Sequence, residues 1–186
     1  VHSYEPSPSF AETEKLKQKF NNVTTYKLAV SNFQGKETFF IDDRRLSQNG
    51  FINPGWGKPV EVDVVKLDNQ QHSNIGLIKI DTEGTELDVI KGADTLIKIN
   101  HPTLMVEIWD QNTPNPGIYF EHLESLGYKM YWYWTVKKKI MHCKTVDDCV
   151  RDVTNKEYPS DADFIFVHES KLADDYTTRL IRPVSI

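Results

Sequence analysis

The stretch Leu77-Ile78-Lys79-Ile80-Asp81-Thr82-Glu83-Gly84-Thr85-Glu86 constrains this chain more than any other. It opens as a short apolar run, the pattern of a strand buried on both faces. It then sets carboxylates and a glycine where that strand stops. Leu87, Ile90, Ala93 and Ile97 follow at helical spacing. Thr85, with Asp88 three residues on, has the form of a capping box, so the spacing predicts a helix from about Gly84. Acids at the carboxyl end of a strand stand where open α/β sheets bind their ligands. Acids also begin helices for a plainer reason, because they offset the helix macrodipole. Two details tilt the balance toward chemistry. Lys79 lies inside the apolar run, where an unpaired ammonium is costly. A second strand-like run, Thr103 to Asp110, also ends in acids, with Glu107 and Asp110 near its tip.

The rest of the chain alternates strands with helices. Val1 to Pro6 reads as a strand closed by proline, with Glu5 at its carboxyl tip. Ser7 and Pro8 suit the cap and first position of a helix read from about Ser9 to Phe20, its stripe made by Phe10, Leu16 and Phe20. Thr25 to Val30 is the next strand, which completes a βαβ unit. Glu37 to Asp42 and the alternating Val60, Val62 and Val64 read as strands around a glycine- and proline-rich loop, Leu46 to Pro59. Asn112 to Gly117 is a turn, and the helix carrying Tyr119, Leu123 and Leu126 stops at Gly127, a natural residue beyond a helix end. Tyr128 to Trp134 is an aromatic strand whose Tyr128, Met130, Trp132 and Trp134 share a face, read as core. Val136 to Ser160 is polar and irregular, Asp163 to Val167 is a last apolar strand, and the tail from Glu169 is peripheral. The fold class is α/β, a mostly parallel sheet with an antiparallel strand near the C-terminus.

Composition narrows the function. The 186 residues, 39% hydrophobic and 26% charged, suffice for one globular domain over 1–186, with insertions at 31–76 and 136–160. A net charge of -5 without an extended basic patch excludes nucleic acid as the main partner. Lys137-Lys138-Lys139 reads as a solvated hairpin tip. No apolar run is long enough to span a membrane. Two cysteines, Cys143 and Cys149, allow one disulfide or two thiols, and with His142 are too few for zinc. Asn22-Val23-Thr24 is a sequon of the kind chance often supplies. The pattern requires no metal. Val1 is not Met and lies inside a strand, so the chain is expected to be a fragment. Its location stays open, the cytoplasm favoured, because a signal or anchor would lie upstream.

The core stretch, continued through Val89-Ile90-Lys91-Gly92-Ala93 to Pro102 and Val106-Glu107, resembles the central motif of FkbM-type methyltransferases. Tyr4-Glu5-Pro6 resembles that family's second-strand motif. Leu28-Ala29-Val30-Ser31, Gly35 with the phenylalanine strand after it, and Lys66-Leu67-Asp68 fit as well. The resemblance covers about Val1 to Val167. It implies a class I, Rossmann-like fold that binds S-adenosylmethionine and moves its methyl to a hydroxyl oxygen of a sugar, glycolipid or polyketide-like metabolite. By the same resemblance Glu5 and Pro6 flank the ribose, Ala29 and Val30 the adenine, and Asp81 the methionine end or the acceptor, with Lys79, Glu83 and Glu107 on the acceptor side. A carboxylate such as Glu5 can accept from both ribose hydroxyls at once. Family members carry a first strand and glycine-rich loop ahead of the Glu-Pro motif, and this chain begins after them, so it is expected to be truncated at its N-terminus.

Methyl transfer to a hydroxyl needs alignment and a proton acceptor. The expected acceptor is Asp81 or Glu83, with Lys79 paired to Glu107 as the element that positions them, or as a purely structural ion pair. His101, before Pro102 at a strand entry, and His122, on a helix, are weaker candidates for the base. The alternative function is a non-catalytic methyltransferase-like binding domain that has lost the cofactor. A glycan hydrolase using Glu83 and Glu107 ranks below both.

Overall fold

In the computed structural model, the described residues are 1–42, 49–53, 55, 57–109, 117–134, 139–143 and 161–172. They fall into two compact units, Val1–His72 with Leu87–Asp94, and Ser73–Glu86 with the described part of Thr95–Ile186. Among the described residues no helix is long and apolar enough to cross a membrane. Outside them lie Asp110, most of the turn before Gly117, much of the 136–160 segment with Cys149, and residues 43–48, 54 and 56 of the glycine-rich loop. The side chain of Cys143 is not among those described either.

The first unit opens with the expected βαβ unit. Strand β1 (His2–Tyr4) pairs in parallel with β2 (Thr24–Tyr26) across helix α1 (Phe10–Lys19). Tyr4 and Tyr26 are register partners, so their rings stack at 4.6 Å. The helix starts one residue later than the expected Ser9. Ser7 instead folds the turn, its Oγ accepting from Ser9 N at 3.1 Å while its carbonyl accepts from Phe10 N. The expected apolar stripe finds no core, for α1 has no buried residue and Phe20 is 47% exposed.

The stretch expected as one strand over Thr25–Val30 is two. After Tyr26 the chain breaks at Lys27-Leu28, and β3 (Ala29–Val30) joins a different sheet, parallel to β5 (Lys58–Val65), which pairs antiparallel with β4 (Gly35–Ile41). Ala29 and Val64 meet in register and are both buried. The strands within 31–76 are thus a hairpin on β3 rather than a detached excursion. Gly92 is fixed by sterics, since a Cβ there would lie 2.0 Å from the Ser31 carbonyl oxygen. It also interrupts the helix. The run predicted to be continuous from about Gly84 to Ile97 is α2 (Glu86–Lys91) and α3 (Asp94–Asn100). Asp88, expected as part of the cap, takes a hydrogen bond from Asn32 Nδ2 at 2.8 Å.

The second unit is a five-stranded sheet in the order β6-β7-β10-β8-β9, formed by β6 (Leu77–Ile80), β7 (Thr103–Trp109), β10 (Asp161–His168), β8 (Tyr128–Trp134) and β9 (Lys139–Cys143). β6 and β7 are parallel, and β10 runs antiparallel to both β7 and β8, so β6, β7 and β8 point one way with a reversed strand between the last two. That is the expected antiparallel strand near the C-terminus. β9 is an addition, a hairpin strand where the sequence reads as irregular. Helix α4 (Gly117–Ser125) ends as expected at Gly127, whose φ of 84° is the left-handed conformation a side chain resists. A short helix α5 (Glu169–Leu172) follows β10.

One face of this sheet is core. Ile80, Leu104, Val106, Ile108, Phe164 and Phe166 are buried, and Phe120 of α4 packs its ring edge on Phe164 at 5.4 Å. Tyr128 is buried with them and donates to the Pro102 carbonyl at 2.9 Å. The other face is not closed, which corrects the expectation that β6 is buried on both sides. Leu77 is 63% exposed and Lys79 is also exposed. The cause is position: among the described residues β6 is an edge strand, paired with β7 alone. A short apolar run has no signature that separates an edge strand from a central one.

Candidate active site

The open face carries the candidate residues Lys79, Asp81 and Glu107. Register runs Lys79 to Met105 and Glu107 to Asp163, so side chains of β6, β7 and β10 line up on it, and Asp81 follows directly after β6. The Lys79 row continues through Met105, Ile165, Tyr131 and His142. The next row brings the acids. Lys79 Nζ lies 3.1 Å from Asp163 Oδ1 and 3.3 Å from Asp81 Oδ2. Glu107 hydrogen-bonds Asp81. The expected partner of Lys79, Glu107, is therefore its neighbour in the field but not its ion-pair partner. Asp81 and Asp163 hold that place.

The electrostatics follow from this count of charges. Burial, the hydrogen bond to Asp81 and the Asp81 charge push the Glu107 carboxyl up to about 7, against the smaller opposing pull of Lys79. Burial alone would lower the Lys79 pKa. The hydrogen bond to Asp163 and the charges of Asp81 and Asp163 outweigh it and raise the group above an ordinary lysine. The shift falls on Glu107, with Asp81 the neighbouring carboxyl that adds to it.

The turn after β6 is a separate device, and the residue that builds it is Glu86. Its Oε1 accepts from Thr82 N at 3.1 Å, Thr82 Oγ1 at 3.2 Å and Gly84 N at 2.9 Å. Its Oε2 accepts from the Tyr119 hydroxyl at 3.3 Å. Glu86 is 2% exposed. Spacing assigns the cap to Thr85 and Asp88, but the structure assigns the work to the third acid of the motif. The available signal is a carboxylate four residues after Thr82, within reach of the donors of a tight turn. Glu83 stands in the turn itself with φ at 57°, followed by Gly84 at 107°, two left-handed residues in succession. Positive φ at a glutamate is uncommon, and the saturated Glu86 carboxylate is what holds it.

The other expected residues lie in the first unit. Glu5 follows β1, its backbone N donating to Tyr26 O at 3.0 Å and its Oε1 accepting from Ser7 N at 2.8 Å. Glu5 and Pro6 are half-buried, as is Val30. Ala29 is 3% exposed and packed in register with Val64. His101, weighed as a base, precedes β7 and so stands at the opposite end of that strand from Glu107, its ring stacked 3.6 Å from His168. His122 is on α4.

Comparison with known proteins agrees with this architecture. No curated protein matches the chain. The crystal structure of a methyltransferase FkbM from Methylobacillus flagellatus is similar, with a TM-score of 0.53 at 14% identity over 89% of this chain. That likeness shows the fold, a Rossmann-like methyltransferase α/β fold, and the chain spans 36% of that protein's length. The family model for the methyltransferase FkbM domain matches residues 1–130, which include β1, the β6 motif and Glu107, and the chain belongs to the FkbM methyltransferase family.

Proposed function

We propose that this chain is an S-adenosylmethionine-dependent O-methyltransferase domain whose acceptor is a hydroxyl of a sugar, glycolipid or polyketide-like metabolite. The observation that carries the reading is the Asp81–Glu107 pair on the open face of β6 and β7. A hydroxyl attacking a methyl carbon must shed its proton as the new bond forms, and a base with a pKa near the working pH does this best. Glu107, pushed up to about 7, is matched to that task. Asp81, with Lys79 at 3.3 Å, supplies the hydrogen bond that orients it. The base thus moves from Asp81 or Glu83 alone to the pair, with Glu83 shaping the turn.

The cofactor supplies a methyl group on a sulfonium centre. Glu5 fits its ribose: the Ser7 N–H fixes one carboxylate oxygen at the tip of β1, as a bidentate acceptor for a diol requires. Val30, half-buried, can offer an apolar flank to the adenine, while Ala29 is taken up by the core. The test is calorimetric titration with S-adenosylmethionine and its demethylated product, with Glu5→Ala as control, followed by mass-spectrometric scoring of methyl transfer to hydroxylated acceptors. Binding that Glu5→Ala weakens, with transfer that Glu107→Gln abolishes, supports the reading. Absence of cofactor binding overturns it in favour of a non-catalytic methyltransferase-like binding domain.

A further inference from the structure

The sequence singles out Lys79, Asp81 and Glu107, but the structure adds a fourth member from far along the chain. Asp163 enters on β10, directly opposite Glu107 in an antiparallel ladder. Like charges in that relation repel. The compensation comes from the strand beyond. Lys79 is on β6, with β7 lying between β6 and β10. Strands two apart are separated by about 9.5 Å, so the Lys79 ammonium reaches its 3.1 Å contact with Asp163 by crossing over β7. It is thereby stretched along the face between Asp81 and Asp163 rather than pointing away into water. Among the described residues, the titratable groups on this part of the face are Lys79 and Asp81 from β6 and its end, Glu107 from β7 and Asp163 from β10, beside the apolar Met105 and Ile165. Three carboxyls share one ammonium.

We propose that Asp163 is a positioning residue of this site, holding the Lys79 ammonium across β7 and facing Glu107, so that it sets the charge around the Glu107 carboxyl. This rests on the methyltransferase reading for its purpose, though not for its geometry. With Asp163 in place, Lys79 is divided between Asp163 and Asp81, which weakens its pull on Glu107. Without it, Lys79 is released toward the pair and the repulsion across the ladder is gone. Both changes favour ionised Glu107. Asp163 therefore determines the pH at which the base becomes available, without itself touching the acceptor.

The test is the titration of Glu107 by carbon-detected NMR of protein labelled at glutamate side-chain carboxyls, in the wild type and in Asp163→Asn. The expected result is a lower Glu107 midpoint in the variant, with the acid limb of the pH–rate profile moving by the same amount, and recovery of both in Asp163→Glu. An unmoved midpoint in folded Asp163→Asn overturns the proposal, because a merely structural aspartate would change stability alone. Lys79→Met provides the second measurement. It must raise the midpoint, since it removes the one cation, and a fall there also overturns the proposal. A midpoint that moves as expected in a protein that transfers no methyl would remove the reaction and leave the placement of Asp163 standing.

Discussion

Two groups of acids flank strand β6, and they are built on opposite terms. In the turn after the strand, Glu86 accepts four hydrogen bonds, three on one oxygen and one from a tyrosine hydroxyl on the other, with almost no exposure to water. On the open face, Asp81 and Asp163 have side chains exposed to water and share Lys79, with Glu107 beside them. A carboxylate enclosed by four donors is a fixed point of structure. Glu107, raised to about 7 on the open face, is suited to exchange a proton. The contrast separates a structural acid from a chemical one within ten residues of sequence, where composition and spacing treat them alike.

The largest effect that can break this contrast is on Glu86. Glu86→Ala leaves the Thr82 and Gly84 N–H groups and the Tyr119 hydroxyl without their acceptor, and is expected to cost about 3 kcal/mol in urea unfolding. Glu86→Gln, which keeps one carbonyl oxygen, should cost less. Glu107→Gln should behave in reverse. Methyl transfer falls by about 100-fold or more, while the unfolding midpoint at pH 8 holds or rises. If Glu107→Gln unfolds the protein as readily as Glu86→Ala, the two acids are not different in kind.

The pH dependence sharpens the same point. A carboxyl raised to about 7 in the folded state binds its proton more tightly there than in the unfolded chain. Its contribution to stability is therefore greatest at low pH, declines as pH rises from the ordinary glutamate range to about 7, and is flat above that. Thermal unfolding between pH 4.5 and 8 should show this decline, and Glu107→Gln should remove it. Activity should run the other way, rising through about pH 7 as the base ionises. The smallest expected effect is that of Tyr119→Phe, about 0.5–1 kcal/mol in the same urea assay, since Glu86 keeps its three other donors.

Much of this was open to a reader of the sequence, and the omissions have physical causes. The strand–turn–acid motif is local, and so are Lys79, Asp81, Glu83 and Glu5. Glu107 comes into reach because parallel β6 and β7 place their carboxyl ends together. Asp163 was beyond reach because its neighbour is set by the register of a strand arriving more than fifty residues after β7. Glu86 was in view but misassigned, since capping rules look for Ser or Thr at the cap, and here a glutamate side chain turns back on the preceding loop. The break at Lys27-Leu28 has no glycine or proline to mark it, and comes from two sheets competing for adjacent residues. The exposure of Leu77 reflects which strands are its neighbours, a property of the sheet and not of the run.

The placement of β10 has a consequence for how the molecule is made. β1, α1 and β2 pair within Val1–Tyr26, so their ladder needs only neighbouring sequence. The five-stranded sheet has no such freedom. Its middle strand is Asp161–His168, and until that strand arrives β7 and β8 have no ladder to join them. Such non-local pairing folds slowly and leaves strand edges exposed while it waits. The acid cluster is completed by the same event, since Asp163 arrives on β10 while Asp81 and Glu107 already neighbour each other through the pairing of β6 with β7.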